Sequence, residues 1–356
     1  TILLRNLIDR AAKAERFIFL EYFILAEGKL WDELEKILCA KAREGVEVKI
    51  IFDDFGNIKR FSGETIDRLR EVGVEVFIFN PVHEYVNRLH FNYRDHRKIA
   101  CIDGDVAYTG GVNIADEYAN LIERFGYWKD SGVCLEGEGA WGLTASFIRM
   151  CVNLGGVMHN EHDYYRPHTP VKSEGFCQPF TDGPQNNPDN PAEDVFLQMI
   201  SGARRFLYIT TPYFIPDESL MRALCIAGDG GVDVRLMLPG KPDHWYADCV
   251  AESYFGELIK HGVKVYRYTP GFLHGKSIMV DREAAFVGSA NMDYRSFELD
   301  YECGVMVYSA PMIESLLEDM DMIVDRSHLV TAEEWAKRSV LRRVFEPLLR
   351  LFAIWM

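Results

Sequence analysis

No C-x-x-C pair occurs in the sequence, although it has eight cysteines, at positions 39, 101, 134, 151, 177, 225, 249 and 303. Scattered in this way, with Cys101, Cys134 and Cys303 inside apolar, strand-like runs, they predict reduced core thiols facing a cytosolic redox environment. No apolar run reaches the ~18–20 residues that a membrane span needs. The most apolar stretch, FIFLEYFIL at 17–25, is broken by Glu21. Low-complexity tracts are absent, and positive charge is in short supply. With 39 Lys and Arg against 54 Asp and Glu, the net charge of −15 argues against a surface that wraps nucleic acid. An anionic substrate stays admissible, because only the field inside a cleft has to be positive. Composition is otherwise ordinary, at 48% hydrophobic and 26% charged, and 356 residues exceed one ordinary core, which predicts two domains.

What the chain does contain is one stretch written twice. Residues 96 to 113 read HRKIACIDGDVAYTGGVN, and residues 274 to 291 read HGKSIMVDREAAFVGSAN. Both are His-x-Lys, four residues, Asp, six residues, then Gly-Gly/Ser-x-Asn, 178 positions apart. Each copy offers an imidazole that titrates near neutrality, a cationic ammonium and a carboxamide. Two facing copies would put His96 and His274 at one centre, with Lys98, Lys276, Asn113 and Asn291 as a cradle for phosphate oxygens. A phosphodiester suits such a cradle, because its charge spreads over non-bridging oxygens during transfer. One imidazole attacks phosphorus while the other, protonated, delivers a proton to the leaving oxygen.

Around the two copies the chain reads as a duplicated α/β unit. An amphipathic helix over the first ten residues precedes a strand at 16–24, a helix at 29–43 stopped by Gly45, a strand at 46–52, a helix at 64–72 and a strand at 74–79. RRFLYITTPYFI (204–215), GVDVRLML (231–238) and GVKVYRYTP (262–270) echo the strands of the first half. The predicted architecture is two tandem domains, 1–154 and 193–338, each a mixed β-sheet flanked by helices. A pseudo-twofold relates them, with the active site in the cleft between. Residues 155–192, rich in Gly, Pro, Asn and Asp, read as the linker. Its His159, His162 and His168 lack cysteines at ligand spacing and read as polar loop residues, so neither metal nor cofactor is expected. Residues 339–356 form an amphipathic helix that suits either an anionic lipid surface or the protein core.

Aligning the repeats sets YWKDSGVCLE (127–136) against LDYECGVMVY (299–308), so Asp130 matches Glu302. A carboxylate on a ring nitrogen fixes the tautomer, and the expected pairs are Asp130 with His96 and Glu302 with His274. Asp103 and Asp281 complete the signatures, but a four-residue strand carries each about 17 Å from its Lys. Their expected task is to hold the turn that begins the following strand. Gly110, Gly111, Gly288 and Ser289 are small where the backbone would approach the ligand. Glu21, Tyr22, Tyr213, Phe214 and Asp217 lie at matched strand ends and are candidates for shaping the cleft. The loop 82–95, much longer than its counterpart at 271–273, reads as a wall of the substrate entrance or a solvated loop.

The doubled His-Lys-Asp signature resembles that of the phospholipase D superfamily. NYRDHRK, TGGVNIADEY, YWKD, TPYFIPDE, PGKPD and SANMDYRSF resemble bacterial cardiolipin synthases, over about 15–302. That resemblance implies two phospholipase D-type domains and transfer of a phosphatidyl group between two phosphatidylglycerol molecules, with release of glycerol. It implies a phosphohistidine, with His96 favoured as nucleophile and His274 as acid, the reverse assignment staying open. It also implies a membrane surface as partner and catalytic domains on the cytoplasmic side of a bacterial membrane. Family members usually carry transmembrane helices before this point, so the chain reads as a fragment or a shortened member without its anchor. The motifs alone do not separate transfer from hydrolysis to phosphatidic acid. A superfamily nuclease and a catalytically silent membrane-binding scaffold are the remaining alternatives.

Overall fold

The computed structural model describes residues 2–82, 91–160, 163–173, 175–308, 311–339, 342–343 and 348–351. In the first half, Phe17–Tyr22 runs parallel to Glu47–Asp53, which runs parallel to Glu75–Phe79. Helices Lys29–Arg43 and Gly63–Glu71 supply the crossovers. On its other edge Phe17–Tyr22 pairs antiparallel with Lys98–Ile102, followed by Val106–Gly110 and Gly132–Glu136. The sheet is thus parallel where helices intervene, and Lys98–Ile102 turns back antiparallel into Val106–Gly110 through a tight turn.

The second half repeats this order. Phe206–Thr210, Asp233–Pro239 and Lys264–Tyr268 are parallel, and Ser277–Val280, Ala284–Gly288 and Asp300–Tyr308 follow antiparallel. One difference corrects the reading of 155–192 as a loop-like linker. Its Phe176–Asp182 is a strand that extends the second sheet beside Asp300–Tyr308.

The sheets pack against each other through their inner faces. Phe17, Phe19, Ile99 and Cys101 of the first share a core with Met279, Val287, Cys303 and Val305 of the second. Alternate residues Ile18 and Leu20 point the other way, beneath the outer helices with Leu7, Trp31 and Leu34. Both faces being covered explains why these strands read as continuous apolar runs.

Cys101, Cys151, Cys225 and Cys303 are buried free thiols, but Cys134, expected in the core, is exposed on the outward register of Gly132–Glu136. Among the described residues no helix is long and apolar enough to cross a membrane. Most of the helix expected over 339–356 lies outside the described residues. Within it, Leu349 packs on the second core and the Arg350 guanidinium sits 3.9 Å from the Tyr254 ring.

Candidate active site

Two short parallel ribbons stitch the halves together and place the histidines. Arg94–Asp95 pairs with Asp300 and Tyr301, after which the His96 N–H donates to the Tyr301 carbonyl at 2.9 Å. Gly271–Leu273 pairs with Tyr127–Lys129, after which the His274 N–H donates to the Lys129 carbonyl at 2.6 Å. Each histidine therefore lies opposite the residue that follows its partner ribbon. His96 Nδ1 is 2.8 Å from Glu302 Oε1, and His274 Nδ1 is 2.7 Å from Asp130 Oδ2. This overturns the expected pairing within each half: the carboxylates are exchanged between domains. An ionised carboxylate only accepts, so each Nδ1 carries the proton and each Nε2 is left for chemistry.

Lys98 and Lys276 are each 1% exposed beside these rings. The Lys276 ammonium donates to the His274 carbonyl at 2.7 Å and lies 3.0 Å from its Nε2; the Lys98 ammonium donates to the His96 carbonyl. Asn113 lines the cleft, its carbonyl accepting from the Ile24 N–H at 3.0 Å and its amide donating to the Tyr118 hydroxyl at 2.8 Å. The buried Asn291 also lines the cleft, and its Oδ1 has no hydrogen-bond partner among the described residues.

Gly111 and Ser289, expected against phosphate, serve the carboxylates instead. Ser289 is fully buried and its hydroxyl donates to Glu302, while the Cys303 N–H donates to Ser289 Oγ at 2.9 Å. A Cβ on Gly111 would stand 2.2 Å from Asp130 Oδ1. Gly110 and Gly288 permit close strand contact, since a Cβ there would stand 2.4 Å from the Ser131 carbonyl and 2.5 Å from the Cys303 carbonyl.

Asp103 and Asp281 also act elsewhere than expected. The Asp103 carboxylate accepts from the N–H groups of Glu15, Arg16 and Phe17 at 2.9, 2.7 and 2.9 Å. Asp281 accepts from those of Arg204, Arg205 and Phe206 at 2.8, 2.9 and 2.8 Å. Each thus clamps the start of its half's first strand, not the turn into the following one. Both sit in left-handed turns, with φ of 54° and 53°, which Asp tolerates. Among the strand-end candidates, only Tyr213 lines the cleft, its hydroxyl donating to Asp243 at 2.6 Å. Glu21 is buried against Arg97, Tyr22 and Phe214 are core residues, and Asp217 caps a helix.

Burial and mutual repulsion shape the charge states. Burial, then Lys98 and Lys276, press His96 well below the ordinary imidazole range. Burial and Lys276 take His274 down to about 4, with Asp130 pulling the other way. Burial lowers the Lys98 ammonium to about 8 and Lys276 to about 7. The two carboxylates separate: burial lifts Glu302 to about 7, whereas His274 and Lys276 outweigh burial at Asp130 and hold it below the usual range. Burial thus penalises the charged forms of both histidines and both lysines, and an anion beside them would offset that penalty.

The cleft between the halves has a volume of about 820 Å3 and both histidines open into it. His274 sits in an aromatic box, its ring centre 5.4 Å from Tyr118, 5.2 Å from Trp128 and 5.7 Å from Phe272. His96 meets Phe23 at 5.0 Å, with Arg94, Arg295 and Asp300 on its side. Phe91, Asn92 and Arg94 confirm that the described part of the long loop lines the cleft; residues 83–90 lie outside the described residues. His96, Asp300 and Glu302 bring one ligand atom each within 4.8 Å of one another, as a metal would require. Lys98, Lys276 and Arg295 add positive charge beside this cluster, which opposes a further cation there. Sequence reasoning missed Arg60, Glu117, Tyr118, Trp128 and Arg295 as cleft residues. Their signal was available for four: Glu117, Tyr118, Trp128 and Arg295 lie inside the segments TGGVNIADEY, YWKD and SANMDYRSF.

A family model described as cardiolipin synthase, PLD-like domain matches residues 4–123 and 196–324, taking in both signatures. The chain belongs to this family. Family membership makes it a phospholipid-modifying transferase. Within the cardiolipin synthase family it is 36% identical over 349 residues to cardiolipin synthase 2 of Bacillus anthracis, covering 98% of this chain and 67% of that one. It is 37% identical over 361 residues to the cardiolipin synthase of Clostridium perfringens, covering 98% and 74%. The solved structure of a phosphatidylserine synthase from Haemophilus influenzae superposes with a TM-score of 0.71 at 15% identity, over 99% of this chain and 90% of that one. That likeness shows a common fold for this cardiolipin synthase-family chain.

Proposed function

We propose that this enzyme transfers a phosphatidyl group from one phosphatidylglycerol to another through a phosphohistidine, yielding cardiolipin and glycerol. The observation that carries the reading is the pair of carboxylate-held imidazoles facing one cleft, each with a lysine ammonium against it. His96 Nε2 attacks phosphorus as the bond to the terminal glycerol oxygen breaks, and His274 Nε2 gives its proton to that oxygen. In the second step neutral His274 takes the proton from the primary hydroxyl of the acceptor. That oxygen attacks phosphorus, and the phosphorus–nitrogen electron pair returns to His96.

The roles are supported by the carboxylates. A firmly ionised Asp130 favours a proton on His274, whereas Glu302, lifted to about 7, favours a neutral His96 able to attack. A bound phosphate offsets Lys98 and Lys276 and lets the pair share one proton, so the two imidazoles titrate together. The aromatic box around His274 excludes water from the acceptor side, which favours a lipid alcohol over hydrolysis. By the same reading the working site is a bacterial membrane surface, with the catalytic halves on its cytoplasmic side.

The test is incubation with phosphatidylglycerol vesicles, mass spectrometry of products, and acid-labile phosphoenzyme trapping. Cardiolipin and glycerol in equal amounts are expected, with His96→Ala forming no phosphoenzyme and His274→Ala slowed by orders of magnitude. Phosphatidic acid as the main product would convert the assignment to a hydrolase. Wild-type turnover in either His variant would remove the mechanism.

A further inference from the structure

Large apolar side chains stand exposed on three segments that share one feature: each contributes to the wall of the active-site cleft. Phe55 and Ile58 lie on the segment that continues to Arg60, and Leu121 and Ile122 lie between Tyr118 and Arg124. Trp245 and Tyr246 follow His244. Phe55, Arg60, Tyr118, Arg124, His244 and Tyr246 all line the cleft, so the six apolar side chains stand at its rim. Their exposure runs from 38% at Tyr246 to 63% at Trp245. The first two segments belong to the first half and the third to the second half, so the rim is assembled across the same pseudo-twofold as the site. Phe91 is likewise exposed and lines the cleft, whereas the exposed Ile2, Val152 and Ile226 are far apart along the chain and line no part of it.

Guanidinium groups able to meet lipid phosphates stand on this rim. Arg60 and Arg124 each donate to the single buried carboxylate of Glu117, both at 3.1 Å from Oε1, so the trio carries net positive charge. Lys59 is exposed beside Ile58. Exposed Glu123, between Ile122 and Arg124, and Asp243 of the cleft wall offset these cations, so the rim carries mixed charge in a chain of net charge −15. Its guanidinium and large apolar groups together match an interface where aromatic and aliphatic groups enter the acyl boundary while guanidinium groups meet phosphates.

We propose that this rim is the surface by which the enzyme docks on an anionic bilayer, with Ile58, Ile122 and Trp245 entering the interface. The inference rests on the phospholipid-transfer reading above and deepens it. Docking by the rim aims the cleft at the membrane, so a headgroup reaches His96 and His274 without its acyl chains leaving the bilayer.

The test uses the whole chain and the triple variant Ile58→Ser, Ile122→Ser, Trp245→Ser, none of which lines the cleft. Flotation with phosphatidylglycerol vesicles, quenching by bromine-labelled acyl chains, and turnover on both vesicles and monomeric short-chain phosphatidylglycerol are measured. The expected result is vesicle binding weakened about tenfold or more, wild-type quenching that Trp245→Phe reduces, and unchanged turnover of monomeric substrate. Vesicle binding equal to wild type would overturn the proposal. Loss of monomer turnover in a folded variant would do the same, since the residues would then belong to the site. Self-association of the wild type that the variant lacks, with vesicle binding unaltered, would reassign the rim to a second copy of the chain. If the wild type turns over no phosphatidylglycerol yet only the variant fails to bind vesicles, the docking surface stands and the reaction assigned above falls.

Discussion

Asp130 holds His274 from across the domain boundary, its Oδ2 2.7 Å from the ring Nδ1. Glu302 returns the contact to His96 at 2.8 Å. Neither half contains a complete His–carboxylate pair, so the site exists only when the two halves are docked. Asp130→Asn should therefore move the Nδ1–H resonance of His274 and leave that of His96 nearly in place, in spectra of 15N-labelled histidine. Turnover should fall by about 10²–10⁴, the range set by losing the correct tautomer. A shift confined to His96 would restore the pairing within each half.

Gly111→Ala tests the room made for Asp130. Its Cβ would meet Asp130 Oδ1 at 2.2 Å and the His274 carbonyl at 3.0 Å, so the carboxylate has to leave its place. A displacement of about 1 Å should cost on the order of 10² in kcat. Measured activity near that of the wild type would mean that Asp130 does not need its present position.

Ser289→Ala should act through pH. Burial raises Glu302 to about 7, and the Ser289 hydroxyl is among the groups that restrain that rise. Without it Glu302 takes up its proton at higher pH, and the ionised form that orients His96 is lost earlier on acidification. The acid limb of the kcat/KM profile should move to higher pH, with activity recovering as pH rises. An unmoved limb would separate Ser289 from Glu302 function.

Asp281→Asn should lower stability and spare chemistry. Its carboxylate accepts three backbone N–H groups at the start of Phe206–Thr210, and losing their charge-assisted character should cost about 1–3 kcal/mol in urea unfolding. Despite burial, those N–H groups depress its pKa in the folded protein. The stabilisation is therefore present above the unfolded value and lost as pH falls through the folded one. The gap between wild type and variant should accordingly close in acid. A large fall in kcat at unchanged stability would place Asp281 in the chemistry.

Lys276→Met should abolish activity yet stabilise the ligand-free enzyme. Burial lowers this ammonium to about 7, so the folded state resists the charge that the unfolded chain accepts readily. That cost grows as pH falls from the unfolded value towards 7 and is fully present below it. At pH 6 the variant should gain on the order of 1 kcal/mol, read as a higher Tm, and an added phosphate analogue should stabilise the wild type alone. A variant less stable at pH 6 would show that the ammonium's contacts with His274 outweigh its burial.

Several elements were legible in the residues because local chemistry decides them. The helix Lys29–Arg43 announces itself through Leu30, Trp31, Leu34 and Leu38 at helical spacing, and Phe17–Tyr22 through its branched and aromatic run. Where a segment has mixed signals the reading failed. Phe176–Asp182, with Pro179 inside it, is an edge strand that owes its existence to pairing with Asp300–Tyr308. Cys134 looked apolar in sequence, but a strand's alternation turns it outward.

By itself the sequence determined that this protein is one unit duplicated, and that His96, Lys98, His274 and Lys276 recur in a common register. It also identified Asp130 and Glu302 as equivalent carboxylates. Only the tertiary structure decided which carboxylate holds which histidine, and that Ser289 and Gly111 serve those carboxylates. The reason is symmetry: an internal alignment shows that two positions are equivalent, and pairing within a half or across the pseudo-twofold leaves the same sequence. Two parallel ribbons, Arg94–Asp95 with Asp300–Tyr301 and Gly271–Leu273 with Tyr127–Lys129, break that tie. They deliver each imidazole to the strand of the other half, through hydrogen bonds that no local pattern records.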